Sequence, residues 1–319
     1  MLKFVTKYWI VVAILTSLVV AEMILRFGLG LGSPVLSQAD SEMGYRFQPN
    51  QKVVRFGRRV EYNQYSQRSE PVGRFKPKDT LRILMIGDSV LNGTNYSDQS
   101  ETIAELLEAK IVGSGQAAEV LNASAYSWGI GNQFGYIKKF GLFDSDALIL
   151  QVGTHDLVQS TSVGDDLREN PESRPWFAIQ EAIFDYVIPR LMPKTSENNA
   201  VAVVSDTEMQ RQFEENLQLL AAIAHQARQQ EIPVFVLYTP NRADLLPVTE
   251  FPLYKKEFLQ FLDDLDILVI DTHAAWSSLP ATTLSSYFRD WVHLSVPANQ
   301  AIADLLFEEL CLESSFPAC

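Results

Sequence analysis

Five short apolar runs, Leu81 to Ile86, Glu119 to Asn122, Ala147 to Val152, Pro233 to Tyr238 and Ile267 to Ile270, recur from residue 81 onward with helical patterns between them. A strand that is apolar on both faces needs cover on both sides, and strands separated by helix-length segments pair in parallel. The spacing therefore predicts an α/β fold with a five-stranded parallel sheet between layers of helices. The helical segments carry their own signals. Thr102 to Glu105 reads as a capping box, and Ser295 before Val296 and Pro297 reads as an N-cap with proline in the first turn. Met209, Phe213, Leu217, Leu220 and Ala224 form a helical stripe that should lie on the sheet, with His225 beside it in a structural role.

In such sheets the chemistry collects in the loops that leave the carboxyl ends of the strands. The first run leads straight into Gly87-Asp88-Ser89, which puts a serine hydroxyl at that edge. A serine needs a neighbouring base, and an imidazole serves near neutral pH when a carboxylate fixes its tautomer. Asp290-Trp291-Val292-His293 offers both groups three residues apart, giving Ser89 as nucleophile, His293 as base and then acid, and Asp290 as orienter. Two other arrangements fit the same residues. Ser89 could simply cap a helix, and Asp271 with His273 forms a rival acid–base pair at the end of the fifth run. The four histidines are scattered and the only cysteines, Cys311 and Cys319, lie at the tail, so no metal-ligand spacing appears. Neither a phosphate loop nor a dinucleotide fingerprint follows the first strand, and no cofactor is implied. A net charge of −13 disfavours nucleic acid and anionic lipid headgroups as partners.

Gly87-Asp88-Ser89, Asn122 to Gly129, Gly153-Thr154-His155-Asp156 and Asp290-Trp291-Val292-His293 resemble, in order, blocks I, II, III and V of the SGNH (GDSL-like) hydrolases. The resemblance runs from about Leu81 to the C-terminus. It implies a flavodoxin-like three-layer α/β/α sandwich. It also implies acyl-ester hydrolysis or, in membrane-associated polysaccharide-modifying members, acyl transfer. It favours Asp290 and His293 over Asp271 and His273, because the family keeps its acid and base just before the final helix. Its oxyanion donors map to the Ser89 amide, to the block II glycine position and to block III. The block II glycine aligns best with Ser127, with Gly129 as the alternative register. In block III this chain has His155 where the family has asparagine, and a ring N–H could donate from there with a pH-dependent charge.

Ahead of that region, Tyr8 to Ala21 is uncharged and apolar, with Lys3 and Lys7 before it. The run spans about 21 Å, so crossing a hydrocarbon core of about 30 Å needs it to extend through Glu22 to about Phe27. Glu22 and Arg26 are i,i+4 partners. The expectation is a transmembrane anchor over 1–27 with the rest of the chain outside the cytoplasm; a signal peptide cut at Glu22 is the alternative. Residues 28–79 read as a juxtamembrane extension of short strands, and 80–319 as the hydrolase domain. That domain contains an insertion at about 157–206, whose Trp176 to Leu191 helix is either a cap over the active edge or surface decoration. A bridge between Cys311 and Cys319 would staple the tail. Tyr126, Trp128, Trp176 and Trp291 either line a cleft or pack. The function that fits is a serine esterase of the cell envelope acting on an O-acyl or O-acetyl ester of a glycan, lipid or small molecule. The alternatives are an O-acyltransferase that modifies a glycan, and a catalytically silent, anchored glycan-binding or assembly protein.

Overall fold

The computed structural model describes residues 2–162, 171–191, 205–246 and 252–312, with side chains from residue 7. Helix α1 (Leu2–Met23) runs on through a wider turn at Ile24–Gly28. Two antiparallel hairpins follow, β1 (Ser37–Asp40) with β2 (Gly44–Phe47) and β3 (Gln51–Arg55) with β4 (Arg58–Tyr62). Their inward residues Tyr45, Phe47, Val53, Val60 and Tyr62 share one apolar cluster with Leu84, Ile86, Leu148 and Leu150 of the main sheet. The extension is therefore packed into the core. Buried Arg68 fixes it further, its guanidinium donating to the carbonyls of Asn92, Thr94 and Ser97 in the loop after Ser89.

The main sheet holds β5 (Leu81–Gly87), β6 (Ala118–Ser124), β7 (Ala147–Gly153), β8 (Val234–Thr239) and β9 (Leu268–Asp271). All are parallel, in the order β6-β5-β7-β8-β9, the flavodoxin-like order with its switch point at β5. Alternate residues of β5 explain why the sequence reads as continuously apolar. Leu84 and Ile86 face one cluster, while Ile83 and Met85 face the other. Ser89–Asn92 forms the one-turn helix α2 directly after β5. The Ile83 face is covered by α3 (Ile103–Gly113) and the C-terminal helix, and the Leu84 face by α4 (Ile130–Phe140) and the helix of the Phe213–Ala227 stripe. Thr102 caps α3, accepting from the Glu105 amide. The expected return bond is absent, because the Glu105 carboxylate accepts from Gln99 instead.

Within the insertion, α5 (Ala178–Glu181), a wider turn at Ala182–Val187 and α6 (Ile188–Leu191) make one continuous helix; residues 163–170 and 192–204 lie outside the described residues. The remaining helices are α7 (Asp206–Arg228), α8 (Lys255–Asp264), α9 (Thr272–Trp276), α10 (Ala281–Tyr287) and α11 (Val296–Leu312). The stripe on α7 buries Phe213, Leu220 and Ala224 and leaves His225 exposed. Ser295 stands just before α11, its hydroxyl donating to the Ser286 carbonyl. Cys311 is disulfide-bonded, and Cys319 lies outside the described residues. Helix α1 is long and apolar enough over Lys7–Gly28 to cross a membrane, a property that a signal sequence shares.

Candidate active site

The turn from β5 into α2 is built around Asp88. Its Oδ1 caps α2 by accepting from the Val90 amide at 2.7 Å, and its own amide donates to Gln151 Oε1 at 2.9 Å. Gln151 also donates to Thr239 Oγ1 at 3.0 Å and so ties three strand ends together. Gly87 is needed here because any Cβ would collide with the Gln151 side chain. Ser89 is thereby set at the first position of α2, where its amide has no acceptor within the helix.

The acid and base arrive on a tight loop. Phe288 and Leu294 bridge its two sides, the Arg289 amide donates to the His293 carbonyl at 2.8 Å, and Phe288, Val292 and Leu294 are buried beneath it. Within that loop Asp290 Oδ1 accepts from the amides of Val292 (2.9 Å) and His293 (2.8 Å). Its Oδ2 lies 2.7 Å from His293 Nδ1, and His293 Nε2 lies 3.0 Å from Ser89 Oγ. Burial pushes the Asp290 carboxyl up, but these bonds outweigh it and hold the carboxyl below its usual value. A charged Asp290 assigns the Nδ1–H tautomer, which leaves the Nε2 lone pair facing the serine hydroxyl. The rival pair is engaged elsewhere. Lys255 Nζ sits 3.0 Å from Asp271 Oδ1 and 2.8 Å from His273 Nδ1, and Asp271 caps α9.

The two block II registers separate. The Gly129 amide donates to Asn132 Oδ1 at 2.9 Å and starts α4, so it is taken. Ser127 lines the cleft beside Ser89, and its φ of 55° is the left-handed conformation that a glycine adopts freely. Its carbonyl is held by Gln159 and Ser162, which fixes the peptide.

His155 departs from its expected role as an oxyanion donor. Its Nδ1 lies 3.0 Å from Asn241 Oδ1, and its Nε2 lies 2.9 Å from Asp88 Oδ2 and 3.4 Å from Asp156 Oδ1, so no ring N–H is left over for a substrate. Burial alone would lower its pKa. Asp156 and Asp88 overcome that and push it up to about 10, which makes the ring a fixed cation at neutral pH. Burial raises the Asp156 carboxyl to about 7 against the pull of His155. Among the described residues, Asp88, His155 and Asp156 are also the group whose ligand-type atoms come within 4.8 Å of one another, with both carboxylates on the same ring nitrogen, His155 Nε2.

The cleft around Ser89 encloses about 840 Å³, with Tyr96, Tyr126, Arg289 and Trp291 in its walls. Trp128 is packed instead, its indole N–H on the Tyr45 carbonyl at 2.9 Å, and Trp176 stands at an adjoining cavity. Gln151 and Asn241 escaped the sequence reading. Gln151 could have been found as the one polar residue inside an apolar strand, and Asn241 as an amide just past the end of another.

No family model matches the chain, and no curated protein matches it by sequence. Among solved structures, it is similar to the lipase/acylhydrolase from Enterococcus faecalis at 16% identity, over 72% of this chain and 95% of that one, with a TM-score of 0.43. A member of the lipolytic protein G-D-S-L family from Veillonella parvula aligns at 11% identity over 72% and 97%, TM-score 0.44. The psychrotrophic esterase EstA from Pseudoalteromonas sp. aligns at 13% over 72% and 97%, TM-score 0.42. In block order, strand order and the geometry of Ser89, His293 and Asp290, the chain resembles the SGNH (GDSL-like) hydrolases.

Proposed function

We propose that the chain is a serine esterase that cleaves O-acyl or O-acetyl esters through an acyl-enzyme intermediate. The observation that carries this reading is the line of three groups, Ser89 Oγ to His293 Nε2 at 3.0 Å and His293 Nδ1 to Asp290 at 2.7 Å. His293 takes the hydroxyl proton as Ser89 Oγ bonds to the ester carbon. Asp290 holds the imidazolium that results. The tetrahedral oxyanion is met by the amides of Ser89 and Ser127, each such donor being worth on the order of 100 to 1000-fold in rate. Collapse breaks the ester C–O bond, and the leaving alcohol carries off the proton from Nε2. A water molecule then repeats the sequence on acyl-Ser89, giving the free acid and returning the proton to the serine.

The cleft has room for an ester of a glycan, a lipid or a small molecule. Helix α1 reads as a single-span anchor over 1–27 that holds the 28–79 extension and the 80–319 catalytic domain outside the cytoplasm. The bonds that Glu22 makes to α5 tie the end of α1 to the insertion, and because a cut before Glu22 would leave them in place, the intact mass of the purified chain is what decides between anchor and leader. A fluorophosphonate probe should label the full-length protein in detergent, and Ser89→Ala should abolish the labelling along with hydrolysis of a short acyl ester. Labelling of both proteins or of neither overturns the reading.

A further inference from the structure

The helix from Ala178 to Leu191 carries an apolar stripe that stands exposed among the described residues. Phe177, Phe184, Val187 and Leu191 follow one another at seven, three and four residues, a single helical face, and are 60%, 61%, 45% and 77% exposed. Trp176, just ahead, is 87% exposed. A stripe of this kind on an otherwise acidic protein marks a contact surface.

Its attachment says what the surface meets. The amides of Ala178 and Ile179 donate to Glu22 at 2.9 and 3.0 Å, and Arg26 donates to the Trp176 carbonyl at 3.1 Å. The start of the insertion helix is thus fixed to α1 at Glu22. From Lys7 to Glu22 the helix rises about 22 Å, short of the roughly 30 Å of bilayer hydrocarbon. If Lys7 sits at one membrane surface, Glu22 has not cleared the other, and Trp176 and the stripe come with it to the outer boundary. Ile24 and Phe27, further along α1, are themselves exposed.

Resting on the anchor reading above, we infer that Trp176–Leu191 is an interfacial helix seated in the outer leaflet of the membrane that α1 crosses. Apolar burial holds it there, with tryptophan at the headgroup level. A cavity of about 990 Å³ beside Trp176 and Phe184 adjoins the Ser89 cleft through Arg55, Asn95, Tyr126 and Tyr186. An ester borne on a lipid therefore reaches the serine without leaving the membrane surface.

Full-length Trp9→Phe protein, reconstituted into phosphatidylcholine nanodiscs with and without lipids brominated near the headgroup end of the chain, tests the seat. Quenching of tryptophan emission is expected, and it should disappear when Trp176→Phe is added. Equal quenching in the two proteins overturns the inference, as does a stripe shown by crosslinking to be covered by a second copy. Intact mass of the purified chain reports separately on the anchor. If α1 has been removed, the same quenching with added phosphatidylcholine vesicles decides whether the insertion binds lipid unaided. A second measurement uses Val187→Glu with Leu191→Glu. It should lower kcat/KM about ten-fold or more for an ester embedded in vesicles while leaving a water-soluble ester unaffected. Equal losses on both substrates count against the seat. Loss of all hydrolysis in the unaltered protein counts against the esterase reading alone.

Discussion

His293 and His155 each sit beside an aspartate at the same edge of the sheet, yet their surroundings make them different groups. His293 has one carboxylate on Nδ1 and presents Nε2 to Ser89. His155 has carboxylates of Asp88 and Asp156 near Nε2 and an amide oxygen on Nδ1, and it is locked as a cation. One acid orients an imidazole and leaves it a lone pair; two acids take that lone pair away. A base therefore requires an asymmetric environment, and proximity to an acid does not suffice.

The comparison breaks first at His293. His293→Ala should lower kcat for a short acyl ester on the order of a million-fold, because the serine then has no proton acceptor. Retained turnover would mean that another group serves as base. Asp290→Asn is next. It keeps the shape of the loop but reverses the tautomer, and steady-state assays should find a loss of about ten-thousand-fold. A loss under ten-fold would show that the two amides on Asp290 do most of the orienting.

What made His293 legible in the sequence also explains why His155 was not. Ser89 stands out by its place at a strand end, while the three-residue spacing of Asp290 and His293 has a rival in Asp271 and His273, and the family resemblance is what favours the former pair. The five strands stand out as well, because a sheet covered on both faces leaves an unbroken apolar imprint on each strand. Asp156 is next to His155 in the chain, but Asp88 and Asn241 lie 67 and 86 residues away, and the charge of the ring rests on Asp156 and Asp88 together. The alignment favours Ser127 over Gly129 without deciding between them, since the choice turns on a φ angle and on Asn132 claiming one amide. The packing of the 28–79 segment joins hairpin residues such as Phe47 and Val60 to the sheet and sets Arg68 on three loop carbonyls, and carbonyls leave no trace in a sequence.

The charge of His155 sharpens the comparison from the other side. With only four histidines in the chain, each ring C–H signal can be assigned by NMR through its loss in a single variant, here His155→Asn. The large shift of the His155 signal that marks loss of its own proton should come only near pH 10, with a smaller change through neutral pH reporting the neighbouring Asp156. The folded value of His155 lies above the unfolded value of about 6.5, so the stability it lends is complete below that pH. That stability drains away as the pH rises toward 10. The melting temperature of the unaltered protein should fall across this interval. The large shift coming instead near 6.5 would mean that the two carboxylates do not hold the proton.

His273 supplies the smallest expected effect and the third case. Its Nδ1 faces the Lys255 ammonium, and burial together with that charge holds its pKa below the usual value, so the ring is neutral. The Asp244 carbonyl at 3.3 Å occupies its other nitrogen. A neutral imidazole in this setting has the protonation state of a base, but its accepting nitrogen is already taken by the Lys255 ammonium and is not presented to a hydroxyl. His273→Ala should therefore leave kcat/KM within about two-fold, while lowering the melting temperature because Lys255 loses a buried partner. A collapse of kcat at an unchanged melting temperature would transfer the role of base to the Asp271 and His273 pair.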